Sequence, residues 1–509
     1  MSSPFRAVAL LFLSPPDSEL LTFLQEANQL VENEPEVLRS IDQDLDRHSK
    51  QKKSLRQQDA QWRESQSLGL PTVGWVPAKV AADKLVLEAG RPRTSAYVVY
   101  MFLVGRGYFG GFKSSEATTL LQESTTLAVF LANQGTNMPG LSTLNELTNA
   151  VSNETREMIL DAQLRQVVEE GWDDFSTLLA DSTAVKGNTQ WPKDSHLIAR
   201  LVARLLHRGR KLDRFDLPCI DAPRARKLLG KLVGLDKQIS MEAGKPGSAG
   251  KRKKLYAKLL GMARKALTLL RPHVLHTEQS LLELDVLPSR GQMAARMVGW
   301  LRQDLQNLVK VIESCDARVM QNIKLPVDQK LLSVSDPDAG FIAKGGRESV
   351  VGYKPQLGRS GAGFVVALLV PRGNASDSGQ LVPIFDQHVQ RTGVVPSTVS
   401  VDDGYASAEG RNELQRRGVK VVSISGSKGK KITPDEDWGN LDYVAARDAR
   451  SAVESLMFTL KHGFDFGRVA RRGLENVRAE MLEDVLAYNF CRMARCRQAA
   501  ADDDAALVA

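Results

Sequence analysis

The chain is predicted to be an α/β protein, with a mixed sheet, a helical N-terminal region and a large helical insertion after the first strand. Three observations carry that prediction. Short apolar runs bounded by turn residues recur at residues 176–185, 363–370, 398–402 and 419–424, the pattern of buried strands. Helical periodicity fills most of the chain before the first run and separates the later ones. Residues 196–325, by contrast, read as basic amphipathic helix without a strand signal.

Length and composition bound the rest. At 509 residues the chain should divide into two to four domains, because one hydrophobic core rarely grows beyond about 250 to 300 residues. The 42% apolar content supplies such cores, and 68 Lys+Arg against 60 Asp+Glu gives a net charge of +8 that favours an anionic partner such as nucleic acid. Cys219, Cys315, Cys491 and Cys496 show no paired metal-ligand spacing and no disulfide framework, so a reducing, cytoplasmic compartment is expected. The apolar run at 8–13 is far shorter than the roughly 20 residues of a membrane span and lacks a cleavage pattern. No membrane partner is expected.

Taken in order, residues 1–75 form the N-terminal helical region. Leu20, Leu24, Ala27 and Val31, then Leu38, Ile41 and Leu45 beyond Pro35, follow a rough heptad that suits either a helical hairpin on its own domain or a dimerising coil. Residues 51–66 are strongly polar, a solvated helix or a linker. Residues 76–170 are expected to be a helical DNA-end-binding domain. Its Gly90-Arg91-Pro92-Arg93 turn suits a DNA minor groove as well as an ordinary basic loop. Ser142 or Thr143, and then Ser152 or Asn153, can cap two short helices, which fit a helix-turn-helix or a simple packing pair.

Residues 171–195 hold the first strand, with Asp181 inside it. A carboxylate within a sheet costs several kcal/mol, order of magnitude, unless a metal, an arginine or a hydrogen-bond set compensates it. In the insertion, Arg200, Arg204 and Arg208 recur at four-residue spacing opposite an apolar face, and a second basic helix carries Lys254, Lys258, Arg264 and Lys265. Such stripes are usually solvated faces, but two in one segment also suit phosphate binding, which makes Arg200, Arg204, Arg208, Lys254 and Lys258 candidate DNA contacts. Residues 326–500 return to strands at 348–354, 363–370, 398–402 and 419–424, with helices at 379–391, 406–417 and 443–464. Residues 501–509 are acidic and rich in small residues, and are expected to be a disordered tail. The order of strand, insertion, two strands, helix, strand, helix, strand, helix is that of a ribonuclease H-like fold, in which the strand bearing the first acid is central and the next acid-bearing strand lies beside it.

On the helix at 443–464, Arg450, Glu454, Met457 and Lys461 fall at i, i+4, i+7 and i+11 and share one stripe, with Val453, Leu456 and Leu460 adjoining. Alone, the Arg450–Glu454 pair would be a surface salt bridge worth about 0.3 to 0.5 kcal/mol. The surrounding segment RDARSAVESLMFTLK resembles the Y-x2-R-x3-E-x6-K signature of bacterial insertion-sequence DDE transposases. Arg450, Glu454 and Lys461 match it, and Arg447 stands at the tyrosine position. VDDGY is similar to that family's D-x-G-Y, which selects Asp402 over Asp403. ADSTAVKGNTQWPKDS resembles the block around its first acid, which selects Asp181 over Asp194. The DAGFIAKGG and PGLSTL stretches look similar too, so the resemblance covers most of residues 77–497.

The resemblance implies that Asp181, Asp402 and Glu454 are catalytic and hold two Mg2+ ions about 3.5 to 4 Å apart, with Mn2+ able to substitute. One ion would activate water or a DNA 3′-hydroxyl while the other stabilises the leaving oxygen. Arg447, Arg450 and Lys461 would contact DNA, and Arg450 and Lys461 would position phosphate and share the charge of the transition state. The implied activity is binding of terminal inverted repeats, cleavage at the element ends and strand transfer into target DNA. It would be carried out by a homodimer or larger assembly on double-stranded DNA, in a bacterial cytoplasm at the nucleoid. Some relatives carry a strand-rich insertion between the second acid and the glutamate; here the extra mass precedes the second acid and reads as helix. Two rivals share the motifs: a catalytically inactive transposase-derived DNA-binding protein, and a ribonuclease H-like nuclease without strand transfer. Elsewhere Asp194 reads as a helix N-cap beside Ser195, Asp403 as a turn residue, and His388 and His462 as surface residues. The GSKGK stretch lacks the Walker spacing, so ATP use is not expected.

Overall fold

The computed structural model describes residues 15–68, 93–110, 119–120, 124–132, 139–191, 193–220, 222–326, 330–343 and 349–508. The apolar run at 8–13, the Gly90-Arg91-Pro92 turn and part of the DAGFIAKGG stretch lie outside the described residues. In chain order the helices are α1 (Pro15–Asn33), α2 (Glu36–Ser67), α3 (Ala96–Tyr108), α4 (Thr125–Ala132), α5 (Leu141–Ala150) and α6 (Asn153–Glu169). There follow α7 (Asp194–Arg210), α8 (Pro223–Glu242), α9 (Ala249–Leu282) and α10 (Pro288–Cys315). The chain continues with α11 (Leu381–Thr392), α12 (Ala408–Arg416), α13 (Gly426–Ile432), α14 (Asp435–Trp438), α15 (Leu441–Ala449), α16 (Ser451–Gly463) and α17 (Leu474–Val508). It divides into two compact units, one of residues 1–46, 89–188 and 338–509, the other of residues 47–88 and 189–337.

The first unit holds both sheets. Strands β1 (Thr177–Ser182), β5 (Gln356–Ser360), β6 (Val365–Leu369), β7 (Thr398–Val401) and β8 (Val421–Ile424) form a mixed five-stranded sheet in the order β6-β5-β1-β7-β8. β1 is therefore central. It runs parallel to β7, which runs parallel to β8, and antiparallel to β5. A three-stranded sheet is ordered β2 (Val185–Lys186), β4 (Val350–Tyr353), β3 (Gly340–Ile342). The run expected as one strand at 176–185 thus splits, its first part joining the large sheet and its last two residues the small one. β6, β7 and β8 are short and rich in β-branched residues, as such buried positions favour, while β1 is carried by its leucines. Strand β5 was not predicted, because QLGRS has no apolar alternation; it is held by ladder hydrogen bonds to neighbours on both sides.

The same unit is built around the long α17. Helix α3 is almost wholly buried and packs on α17, as does α6, so residues 96–170 belong to one compact unit with the sheets. Their meeting point is ionic. Glu483 of α17 accepts from Arg106 Nη2 (2.7 Å), Arg156 Nη2 (2.7 Å) and Arg471 Nη2 (2.7 Å), all buried or nearly so. Burial pushes the Glu483 carboxyl up, but the three guanidiniums outweigh it and bring it down to about 2. Ser152 caps α6 by accepting from Thr155 N–H, whereas α5 begins at Gly140 without a side-chain cap, so neither Ser142 nor Thr143 serves there. α17 also continues through residues 501–508, where the composition predicted a disordered tail; alanine-rich sequence propagates an existing helix readily.

The second unit is helical. A continuous apolar core is drawn from α7, α8, α9 and α10. The polar stretch at 51–66 proves to be helix rather than linker, anchored where Trp62 Nε1 and Gln66 Nε2 donate to Asp285 (3.2 and 3.0 Å) and Ser289 N–H donates to Asp59 (2.9 Å). Among the described residues, no helix is long and apolar enough to cross a membrane.

Candidate active site

The two strand acids are brought together by register. Ala180 of β1 pairs with Val401 of β7 in the parallel ladder, so Asp181 and Asp402, the next residues, leave adjacent strands at the same level. Asp181 is largely buried, its side chain 15% exposed, and its Oδ1 accepts from Ser182 N–H (2.6 Å). Asp402 ends its strand as the cap of the turn Asp403–Tyr405, with Oδ1 accepting from Gly404 N–H (2.9 Å).

That turn explains its own sequence. Tyr405 is fully buried and its hydroxyl donates to Gln356 on β5, whose amide donates to Asp377 Oδ1 (3.0 Å). Lys354 Nζ lies 2.7 Å from Asp377 Oδ2. A Cβ at Gly404 would stand 3.0 Å from Asp377 Oδ2 and 3.1 Å from Asp402 Oδ1, so any side chain there would crowd both carboxylates. Burial, followed by the charges of Asp377, Asp181 and Asp402, pushes the Tyr405 hydroxyl well above its ordinary value. The strand ends therefore concentrate negative charge. Asp377, Lys354 and Gln356 were not foreseen, since none lies in a motif; they meet only because β5 runs beside β1.

Glu454 comes from the helical side. The helix expected at 443–464 divides into α15 and α16, and Arg450 is the junction. From there Arg450 Nη2 reaches Glu454 Oε1 (2.8 Å) while Nη1 lies 3.7 Å from Asp181 Oδ2. One guanidinium thus ties the helix acid to the central-strand acid. The Glu454 side chain is 61% exposed. Lys461 lies seven residues further along α16, roughly 10 Å along its axis. Arg447 stacks over the Trp438 ring at 5.4 Å.

Among the described residues, no group of three or more His, Cys, Asp or Glu is gathered closely enough to hold a metal ion. The donor chemistry nevertheless fits a hard divalent cation: Asp181 and Asp402 present carboxylate oxygens at one level of the sheet, in a concentration of negative charge, with Glu454 one guanidinium away.

Residues 321–490 match the family model described as the transposase DDE domain. The chain carries a transposase DDE domain. The match takes in Asp402, Arg450, Glu454 and Lys461, whereas Asp181 lies before it, on β1, the strand that pairs with β7. No curated protein and no solved structure matches the chain.

Several other expectations change. Arg204 and Arg208 do not form a free stripe: Asp304, 2% exposed, takes Arg204 Nη2 (3.2 Å) and Arg208 Nη1 (2.6 Å), and Arg204 also donates to the Val334 carbonyl (2.6 Å). Arg200 donates to Gln190 Oε1 (2.7 Å). Lys254 and Lys258 are exposed on α9. Asp194 is not an N-cap; it lies in the first turn of α7 and pairs with Arg318 (3.1 Å), burial raising its carboxyl against that pull. Asp403 does more than turn the chain, accepting from Lys428 N–H (2.7 Å) and Gly429 N–H (3.2 Å) at the start of α13. His388 is buried rather than on the surface, with Nε2 3.2 Å from the Phe175 carbonyl, and desolvation lowers it to about 4. His462 is exposed, packed on Phe458 at 4.3 Å.

Proposed function

We propose that the protein is an insertion-sequence transposase that binds the terminal inverted repeats of its element, cuts at the ends and joins them to target DNA, using Asp181, Asp402 and Glu454 as its three catalytic acids. The observation that carries this reading is the level pairing of Asp181 and Asp402 on adjacent parallel strands, with Glu454 linked to Asp181 through Arg450. The sheet order supports a ribonuclease H-like core: an antiparallel strand on one side of β1 and two parallel strands on the other.

Asp181, Asp402 and Glu454 would hold the divalent cations, Mg2+ by preference. When bound, such ions polarise the phosphate and activate the attacking hydroxyl. For Glu454 to join them its carboxylate has to exchange Arg450 for the metal, which frees the guanidinium for a phosphate oxygen. Arg450, at the head of α16, and Lys461 on α16 would then orient the DNA phosphate and share the charge that develops on it. Asp377, Lys354 and Gln356 hold the DGY turn, and with it Asp402, against β5. Synapsis of two ends requires at least two copies on DNA, at the nucleoid of a bacterial cell.

The test is Mg2+-dependent cleavage and strand transfer on duplexes carrying the element's own ends, comparing wild type with Glu454→Gln and Asp402→Asn. Cut and joined products that vanish in both variants, with end binding retained, are expected. Wild-type-like cleavage by Asp402→Asn would overturn the assignment. Binding without cutting in any divalent metal would point to an inactive DNA-binding relic, and cutting without joining or end specificity to a nuclease.

A further inference from the structure

The helical unit holds a basic groove that none of the motifs above accounts for. Helices α8 and α9, joined by residues 243–248, frame a cleft of 550 Å³. Its walls are Arg224, Lys227 and Lys231 on α8 and Arg264, Lys265 and Thr268 on α9, over a floor of two leucines. Arg224, Lys227 and Lys231 fall at i, i+3 and i+7, so they form one row along α8, and the packing of α9 sets the second row opposite. All five cations are exposed, and no carboxylate lines the cleft among the described residues. Asp316 relieves the charge at one point only, 3.2 Å from Arg264.

Such a concentration of like charge disfavours folding unless water or a polyanion relieves it. Over residues 223–282 the only carboxylates are Asp236, Glu242 and Glu278. Glu242 is held by Lys245 and Lys251, and Asp236 by Ser195 and His196. The positive field also continues along α9 through the exposed Lys253, Lys254 and Lys258. From Arg224 to Lys231 the row spans about 10 Å of helix axis. One strand of duplex DNA places about three phosphates along that length, one per 3.4 Å of axis.

We propose that this groove is a sequence-independent binding site for the phosphate backbone of duplex DNA. The cations would neutralise phosphates, while the lysine stems lie over the leucine floor. An acidic amphipathic helix is the other polyanion of matching charge, but it would need a continuous apolar row, and the floor offers two leucines already half-buried. The choice of DNA rests on the transposase reading above. The groove replaces the α7 stripe as the phosphate-binding face of this unit, because Arg204 and Arg208 are occupied by Asp304.

The test is salt-dependent binding of the full-length protein to a duplex of arbitrary sequence, followed by fluorescence anisotropy. The comparison is wild type, K227Q/K231Q/K265Q, and a control that removes three other exposed cations of the same unit, R302Q/K310Q/K324Q. Each lost phosphate contact lowers the slope of log Kobs against log[salt] by about 0.9, so the groove variant should lose about 2.7 and the control much less. Equal losses in the two variants, or no loss in the groove variant, would overturn the proposal. So would an acidic amphipathic peptide whose binding the groove variant abolishes while DNA binding stays unchanged. Because the readout is binding, a protein that never cuts DNA answers the question equally well.

Discussion

Replacing Glu483 by glutamine would remove a carboxylate shared by three guanidiniums while leaving its shape in place. Arg106 and Arg156 both donate to Oε1 and Arg471 to Oε2, each at 2.7 Å, and the Glu483 side chain is 3% exposed. Breaking a buried pair by removing one partner costs about 3 to 5 kcal/mol, since the remaining charges stay desolvated without compensation. An independent route reaches a similar size. The Glu483 carboxyl falls from 4.5 to about 2 on folding, and at about 1.4 kcal/mol per pKa unit that shift contributes about 3 kcal/mol at neutral pH. Because the folded-state value is the lower one, this stability is fully present above about pH 4.5 and is lost as pH falls towards 2. Urea unfolding of wild type and Glu483→Gln, followed by circular dichroism across that range, measures both quantities. The variant should be less stable by about 3 to 5 kcal/mol at pH 7, with the gap closing on acidification. A loss below about 1 kcal/mol, or a gap that does not change with pH, would refute the reasoning.

Three further outcomes follow. Gly404→Ala should lower cleavage at least about tenfold with the fold intact, because its Cβ would stand about 3 Å from both the Asp377 and Asp402 carboxylates; activity and circular dichroism together check this. Arg204→Gln with Arg208→Gln should destabilise the helical unit by about 3 kcal/mol by leaving Asp304 buried and unpaired, with the salt slope of DNA binding unchanged. His388 falls from 6.5 to about 4 on folding, so wild type should lose about 3 kcal/mol as pH drops through that interval, stability being complete above 6.5. His388→Gln should remove this part of the acid sensitivity, read from unfolding midpoints at pH 7 and pH 4.

Local chemistry made much of this molecule legible from sequence. Short apolar runs bounded by turn residues favour buried strands, so β1, β6, β7 and β8 could be read directly, and α7 and α9 declared themselves by their periodicity. Asp181 and Asp402 stood out because a charge beside a buried strand demands compensation. β5 was not legible: a strand paired on both sides is held by its backbone, and QLGRS carries no mark of that. Likewise Arg204 and Arg208 look the same in sequence whether they face water or Asp304, a hundred residues away. His388 looks like any helix histidine until Phe175 and the sheet close over it.

By itself, the sequence determined most of the helical and strand segments, the chemical types at the acid positions and the excess of positive charge. Each depends on a residue and its near neighbours. Only the tertiary structure decided that Asp181 and Asp402 stand level, that Arg450 spans Asp181 and Glu454, and that Asp377 supports the turn at Gly404. It also decided which cations are consumed inside the helical unit and which line an open groove. Those outcomes depend on strand register and helix packing, which join residues far apart in the chain and leave no local trace.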